Sequence, residues 1–186
     1  EVDDVKLRGE HNLENVVAAI AASKLLNVRT IPMQTAIQKF AGLPYRLQLV
    51  AATRSGIRFW NDSCATTPSA TAAAIRTFSK EPFILVTGGS EKNADYEELG
   101  KTIAEIDGKA LITTGITGPK IAEFAKEAGY NKKKIYAGKD FEGVFSELEK
   151  ILEPGDNVLL SPASASFDQF KNEYDRGEKW NAAVNE

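Results

Sequence analysis

The sequence predicts an α/β fold, Rossmann-like, with a mainly parallel sheet covered by helices on both faces, and three observations carry that expectation. Four short apolar runs, Phe83 to Val86, Ala110 to Thr113, Ile135 to Ala137 and Val158 to Leu160, recur along the chain. Each is separated from the next by an amphipathic stretch of helix length, which is the pattern of βαβ repetition. Ahead of them Leu47 to Ala51 and Ile57 to Trp60 alternate like two strands joined through Arg54-Ser55-Gly56, an N-terminal β-hairpin.

Residues 1 to 43 read differently. A short strand is expected near Val5 to Leu7, then a helix opened by Asn12 with Leu13, Val16, Val17 and Ile20 on one face, then a second helix after Pro32. Two helices and a strand bury too little surface to offset the entropy of ordering them, so this segment reads as part of a larger domain. The stretch Gly42-Leu43-Pro44-Tyr45-Arg46 breaks helical periodicity, because proline lacks a donor and restricts its predecessor. The boundary therefore falls there, dividing the chain into 1–43 and 44–186.

Within the second part, helices are expected at Ser69 to Phe78, Tyr96 to Ile106, Pro119 to Ala128 and Phe141 to Leu152, with a last one after Phe167. Strands buried on both faces suit the continuous apolar runs between them. In open sheets of this kind ligands bind at the carboxyl edge, where loops converge and helix amino termini point partial positive charge outward. The loops to inspect follow Trp60, Val86, Thr113 and Leu160.

Composition narrows the function classes. With 42% hydrophobic and 26% charged residues the 186-residue chain has the make-up of an ordinary globular protein. A formal charge of −3 gives no basic face for nucleic acid or an anionic bilayer, which favours small-molecule chemistry. There is no apolar run of about 18 residues to span a membrane, and the acidic opening Glu1-Val2-Asp3-Asp4 is not that of a signal peptide. The single cysteine, Cys64, excludes an internal disulfide and fits a reducing cytoplasm.

Three loops hold polar groups where a ligand would sit. Asn61-Asp62-Ser63-Cys64-Ala65-Thr66-Thr67-Pro68 supplies more short polar side chains than helix capping needs, although Thr67 and Pro68 also suit an N-cap with proline in the first turn. In Thr87-Gly88-Gly89-Ser90-Glu91-Lys92 the paired glycines permit close backbone approach, or simply a turn, and Lys92 offers a cation. Ser161-Pro162-Ala163-Ser164-Ala165-Ser166-Phe167-Asp168 again sets hydroxyls at a strand end, with Ser164 or Ser166 as alternative helix caps. Thr114-Gly115-Ile116-Thr117-Gly118-Pro119-Lys120 matches neither a P-loop nor the dinucleotide fingerprint and reads as structural. With His11 as the only histidine, hydrolysis through a nucleophile and base pair and a zinc centre are both poorly served.

Taken together these loops resemble the Mur ligases. The run Ser161 to Asn172 looks like the signature of the D-glutamate-adding branch, and it comes with four further ordered matches. These are Gly9-Glu10-His11-Asn12-Leu13-Glu14-Asn15, Gly42 to Arg46, Asn61-Asp62-Ser63 and Gly88-Gly89-Ser90-Glu91-Lys92. The resemblance implies that residues 1–43 are the end of a central ATP-binding domain and 44–186 an amino-acid-binding carboxy-terminal domain. It implies that Asn12 and Asn15 contact adenine, that Arg46 and Asp62 reach the ribose and phosphates of ATP, and that Thr66, Lys92 and Ser166 hold D-glutamate. The implied reaction joins D-glutamate to UDP-N-acetylmuramoyl-L-alanine through an acyl phosphate, with ATP and Mg2+, in peptidoglycan biosynthesis.

Cys64 stands where family members carry a lysine, Tyr45 where a histidine is common, and Glu173 where an aromatic often lines the amino-acid pocket. No G-x-x-x-x-G-K-[S/T] motif occurs in the sequence, and the family's magnesium ligands lie in a part of the central domain that these residues do not contain. The chain alone is therefore expected to capture ligand at most. A sister ligase adding another amino acid, or a stand-alone Rossmann-type binding domain, are the alternative readings; the absence of G-x-G-x-x-G speaks against a dinucleotide oxidoreductase.

Overall fold

A computed structural model describes residues 5–138 and 140–186 and divides the chain into two compact units, Glu1–Leu43 and Pro44–Glu186. In the first unit, helix α1 spans Glu10–Leu25 and α2 spans Thr30–Lys39. Helix α1 begins at Glu10, two residues before Asn12, with Gly9 as its N-cap, because the carbonyl of Gly9 already accepts the amides of Asn12 and Leu13. Val5 to Leu7 forms no strand, since no partner strand pairs with it among the described residues.

The second unit is built around one six-stranded sheet. Its strands are β1 (Gln48–Ala52), β2 (Arg58–Asn61), β3 (Phe83–Thr87), β4 (Ala110–Thr113), β5 (Lys133–Tyr136) and β6 (Asn157–Leu160), in the spatial order β1-β2-β6-β3-β4-β5. Only β1 is antiparallel, paired to β2 as the expected hairpin; every other pair is parallel. Five helices complete the unit: α3 (Pro68–Arg76), α4 (Glu97–Ile106), α5 (Gly118–Glu127), α6 (Phe141–Leu148) and α7 (Glu173–Asn185).

Period-two alternation sorts the central strands between two cores. Phe83 and Leu85 of β3, Leu111 of β4, Leu159 of β6 and Trp60 of β2 pack with α3, α4 and α5 on one face. Ile84 and Val86, Ala110 and Ile112, Val158 and Leu160 pack with α6 and α7 on the other. Because β3 is buried on both sides, all five of its residues are apolar or, at Thr87, small. Each buried Leu, Ile or Val contributes about 1.5–3 kcal/mol against leaving it exposed, so the centre of the sheet dominates the stability.

Boundaries shift where a neighbour overrules the local pattern. Strand β5 begins at Lys133 rather than Ile135, because its register against Ala110 of β4 is set there, and as an edge strand it tolerates two lysines. Helix α6 stops at Leu148; Ile151 and Leu152 only close turns back to the carbonyl of Leu148, ahead of Pro154. Helix α7 waits until Glu173, because Ser166 to Lys171 is spent in turns and the side chain of Asn172 accepts the amides of Tyr174 and Asp175 at 3.0 and 2.9 Å.

The carboxyl ends of β2, β3, β4 and β6 bring their loops together. Val86 and Leu160 are register partners, and the amide of Gly88 donates to the carbonyl of Pro162 at 2.9 Å, so the glycine pair lies flat against the last of these loops. Gly88 has φ 116°, and a Cβ there would fall on the carbonyl oxygen of Thr114; Gly89 has φ 158° and faces the carbonyl of Ala165. Gly88→Ala is therefore expected to lower the unfolding free energy by about 2–4 kcal/mol, read as a fall in the urea midpoint. An unchanged midpoint would show that the loops are not packed this closely.

Candidate functional site

The loop after β2 spends most of its polar groups on the scaffold. Asn61 donates through Nδ2 to the carbonyl of Gly177 (2.9 Å) and to Oδ1 of Asn181 (2.7 Å), which pins α7 to the strand end. Ser63 donates to the carbonyl of Glu173 at 2.7 Å. Thr67 caps α3 by accepting the amide of Ala70 at 3.3 Å, with Pro68 in the first turn. That leaves Thr66, half-buried, as the member of the loop best placed to meet a ligand.

Asp62 is nearly enclosed. Its Oδ1 accepts the amide of Leu47 at 3.1 Å, and its Oδ2 accepts the hydroxyl of Ser161 at 2.8 Å, which in turn pairs with Thr71 at 2.9 Å. Burial pushes the carboxyl up to about 7, against the opposing pull of those hydrogen bonds and of the nearby Arg46 guanidinium. The carboxylate thus ties the junction residue Leu47 to β2 and β6, and its remaining lone pairs are what a ligand could use. Arg46 beside it is exposed.

The most heavily bonded side chain is one that no sequence pattern singled out. Arg176, on α7, is 2% exposed. It donates from Nε to the hydroxyl of Ser63 (3.0 Å), from Nη2 to the carbonyls of Ser63 (2.8 Å) and Ser164 (3.1 Å), and from Nη1 to those of Ser164 (3.1 Å) and Ala165 (3.2 Å). Burial lowers its pKa to about 10, so it stays charged at neutral pH. An isolated arginine in an amphipathic helix carries no spacing signal, which is why sequence reasoning passed over it.

A second buried network joins the remaining loops. The hydroxyl of Ser164 lies 2.8 Å from that of Thr117 and 3.0 Å from that of Tyr96, while Thr117 Oγ1 also receives the amide of Gly89 at 3.0 Å. The loop from Thr114 to Lys120 therefore serves as support, as its sequence suggested. Ala163, between these groups, is held at φ 58°, a conformation an alanine adopts only when its surroundings enforce it.

Against this background few buried side-chain polar atoms stand unpartnered among the described residues. Ser166 is 1% exposed, and its Oγ has no hydrogen-bond partner, a state it shares among the described residues with Thr87 Oγ1 and Trp180 Nε1. Neither Ser166 nor Ser164 caps α7. A buried hydroxyl without a partner costs about 1–3 kcal/mol, which a ligand atom can recover. Lys92, in the loop after β3, is exposed, with its backbone amide received by Glu91 at 2.8 Å. Cys64 is half-buried, and burial raises its thiol above the ordinary value despite Arg46 and Arg176, so it is neutral at pH 7 and supplies no charge.

In the first unit, Asn12 and Asn15 sit together in the opening turns of α1. Asn12 donates to the carbonyl of Arg8 at 2.7 Å, and Asn15 Nδ2 lies 3.5 Å from Asn12 Oδ1. Among the described residues no helix is long and apolar enough to cross a membrane.

Comparison with known proteins matches residues 45–164 to the family described as Mur ligase, glutamate ligase domain. UDP-N-acetylmuramoylalanine--D-glutamate ligase of Caldanaerobacter subterraneus is 37% identical over 99% of this chain, and that of Geobacillus sp. is 39% identical over 98%. The chain spans about two fifths of these relatives, 40% of each. Among solved structures, UDP-N-acetylmuramate-alanine ligase from Thermotoga maritima superposes with a TM-score of 0.69 at 19% identity, covering 97% of this chain and 39% of that one. MurF from Acinetobacter baumannii gives 0.66 at 20%, covering 95% and 38%. At such identities these two structures speak for the fold alone.

The enclosure of Asp62 has a consequence for pH dependence. Its folded pKa, about 7, lies above the ordinary 3.8, so the unfolded chain ionises first and stability falls as pH rises from about 4 to 7. Asp62→Asn is expected to remove that part of the slope, which amounts to roughly 3–4 kcal/mol at most across the window. Urea unfolding at pH 5 and pH 8 checks it; equal slopes in the two proteins would place the titration elsewhere.

Proposed function

Because this chain belongs to the Mur ligase family, we propose that it is the carboxy-terminal, amino-acid-capturing part of a longer ATP-dependent ligase that joins D-glutamate to UDP-N-acetylmuramoyl-L-alanine. The observation that carries this reading is the buried, unpartnered Ser166 hydroxyl at the carboxyl edge of the sheet, where Thr87 at the end of β3 is also unpartnered. Relatives identical to this chain at more than a third of the aligned positions, over nearly its whole length, support this choice of substrate.

In this reading the residues do positional work. Lys92 is a mobile cation for a carboxylate of the incoming amino acid, and Ser166 and Thr66 offer hydroxyls that fix its orientation. Asn12 and Asn15 would meet the adenine, and Arg46 and Asp62 the ribose and phosphate side of ATP. In the longer ligase the carboxylate of the L-alanyl substrate would take the γ-phosphoryl group of ATP, releasing ADP and giving an acyl phosphate; the amine of D-glutamate would attack its carbonyl carbon, and the tetrahedral intermediate would collapse to an amide with loss of phosphate and a proton. Proximity and charge stabilisation dominate such a step. Among the described residues no group of three or more His, Cys, Asp or Glu is placed to hold a metal ion, so no step is assigned to magnesium within this chain.

The test is phosphate release by the longer protein that contains this chain, supplied with ATP, Mg2+, UDP-N-acetylmuramoyl-L-alanine and either D- or L-glutamate. Release with D-glutamate alone is expected, and Ser166→Ala is expected to raise its KM about tenfold or more, the cost of one hydrogen bond to a charged ligand. Release with a different amino acid and none with D-glutamate would overturn the substrate assignment.

A further inference from the structure

Two of the groups assigned to D-glutamate sit on loops far apart in sequence, and a single side-chain pair locks those loops together. Lys92 lies two residues after Ser90, and Ser166 lies two residues before Asp168. The hydroxyl of Ser90 donates to Oδ1 of Asp168 at 3.0 Å and accepts the backbone amide of Asp168 at 2.8 Å, so each residue holds the other twice. The backbone adds a bridge between Ser90 and Ala165, through the Ser90 amide and the Ala165 carbonyl at 2.8 Å. The second oxygen of Asp168 accepts the amide of Ile116 at 3.2 Å and the side chain of Gln169 at 3.2 Å, which brings the loop after β4 into the same joint.

We propose that the Ser90–Asp168 pair is a positioning device for amino-acid capture, setting the separation between the Lys92 ammonium and the Ser166 hydroxyl. This rests on the function proposed above. The chemistry of the joint suits the task. A serine hydroxyl has one proton to give and two lone pairs to accept, so it can close the two-way contact, which an alanine cannot. The acceptor is a carboxylate, which makes the bond charge-assisted. Lys92 itself is exposed on a flexible stem, so the direction from which its charge approaches depends on the loop that carries it. The catalytic step needs the amine held to within a fraction of an ångström, and a displacement of about 1 Å can cost around a hundredfold in rate. Neither Ser90 nor Asp168 needs to touch the amino acid.

The experiment compares Ser90→Ala, Ser90→Thr and Asp168→Asn with the unmodified longer ligase, measuring KM for D-glutamate, KM for ATP and kcat. Ser90→Ala and Asp168→Asn are expected to raise the KM for D-glutamate at least tenfold while the KM for ATP stays within twofold. Ser90→Thr, which keeps the hydroxyl, is expected to stay within threefold of the unmodified enzyme. The double variant is expected to be no worse than the poorer single one, because both break one joint. A joint that served stability alone would lower the active fraction and hence kcat, with both KM values unmoved, and that result overturns the proposal, as does an unchanged KM for D-glutamate in both single variants. Failure of the unmodified enzyme to release phosphate with D-glutamate would instead refute the ligase reading, and this role with it.

Discussion

A positive charge taken out of water has to be met by oxygen atoms, and at Arg176 that requirement decides where two loops can run. Its guanidinium presents a rigid fork, and the acceptors it finds are the hydroxyl and carbonyl of Ser63 and the carbonyls of Ser164 and Ala165. Those are neutral, so their stabilisation must come from number and geometry rather than from one strong ion pair. The loop after β2 and the loop after β6 are thereby held at a fixed spacing by a residue from the last helix. Helix α7 is in turn fixed through Asn61 and through Trp180 in the core beneath it.

The segment from Ser161 to Asp168 is the common partner of everything around it. Ser161 meets Asp62, Pro162 meets Gly88, Ser164 meets Tyr96, Thr117 and Arg176, and Asp168 meets Ser90 and Ile116. Such dense bonding explains how Ala163 tolerates a left-handed backbone and why a bare hydroxyl at Ser166 is informative. A site assembled this way is preorganised: the entropy of ordering the loops is met during folding and not when the ligand arrives.

Much of this was legible in the sequence, for identifiable reasons. The buried runs at Phe83, Ala110 and Val158 are continuous because both faces of those strands are covered, and Thr67-Pro68 is a cap that needs only local chemistry. Most of the ordered motifs that pointed to the right family sit in loops, where residue choice reflects chemistry more than packing, while Gly9 to Asn15 opens α1. Three features lay beyond local reasoning. The limits of β5 depend on its register with β4, and the start of α7 depends on the turns that follow Ser166. The role of Arg176 depends on contacts across 113 residues of chain, to Ser63. The bonds that Asn61, Asp62 and Ser63 of the loop after β2 make to the scaffold were likewise beyond local reasoning.

The carboxyl edge of this sheet is proposed to capture an amino acid between Lys92 and Ser166. A crystal structure of the longer protein with D-glutamate at saturating concentration tests it most directly. Density for the amino acid is expected with a carboxylate within hydrogen-bonding distance of Lys92 Nζ and of the Ser166 hydroxyl. Density elsewhere, with Ser166 still unpartnered, would contradict it.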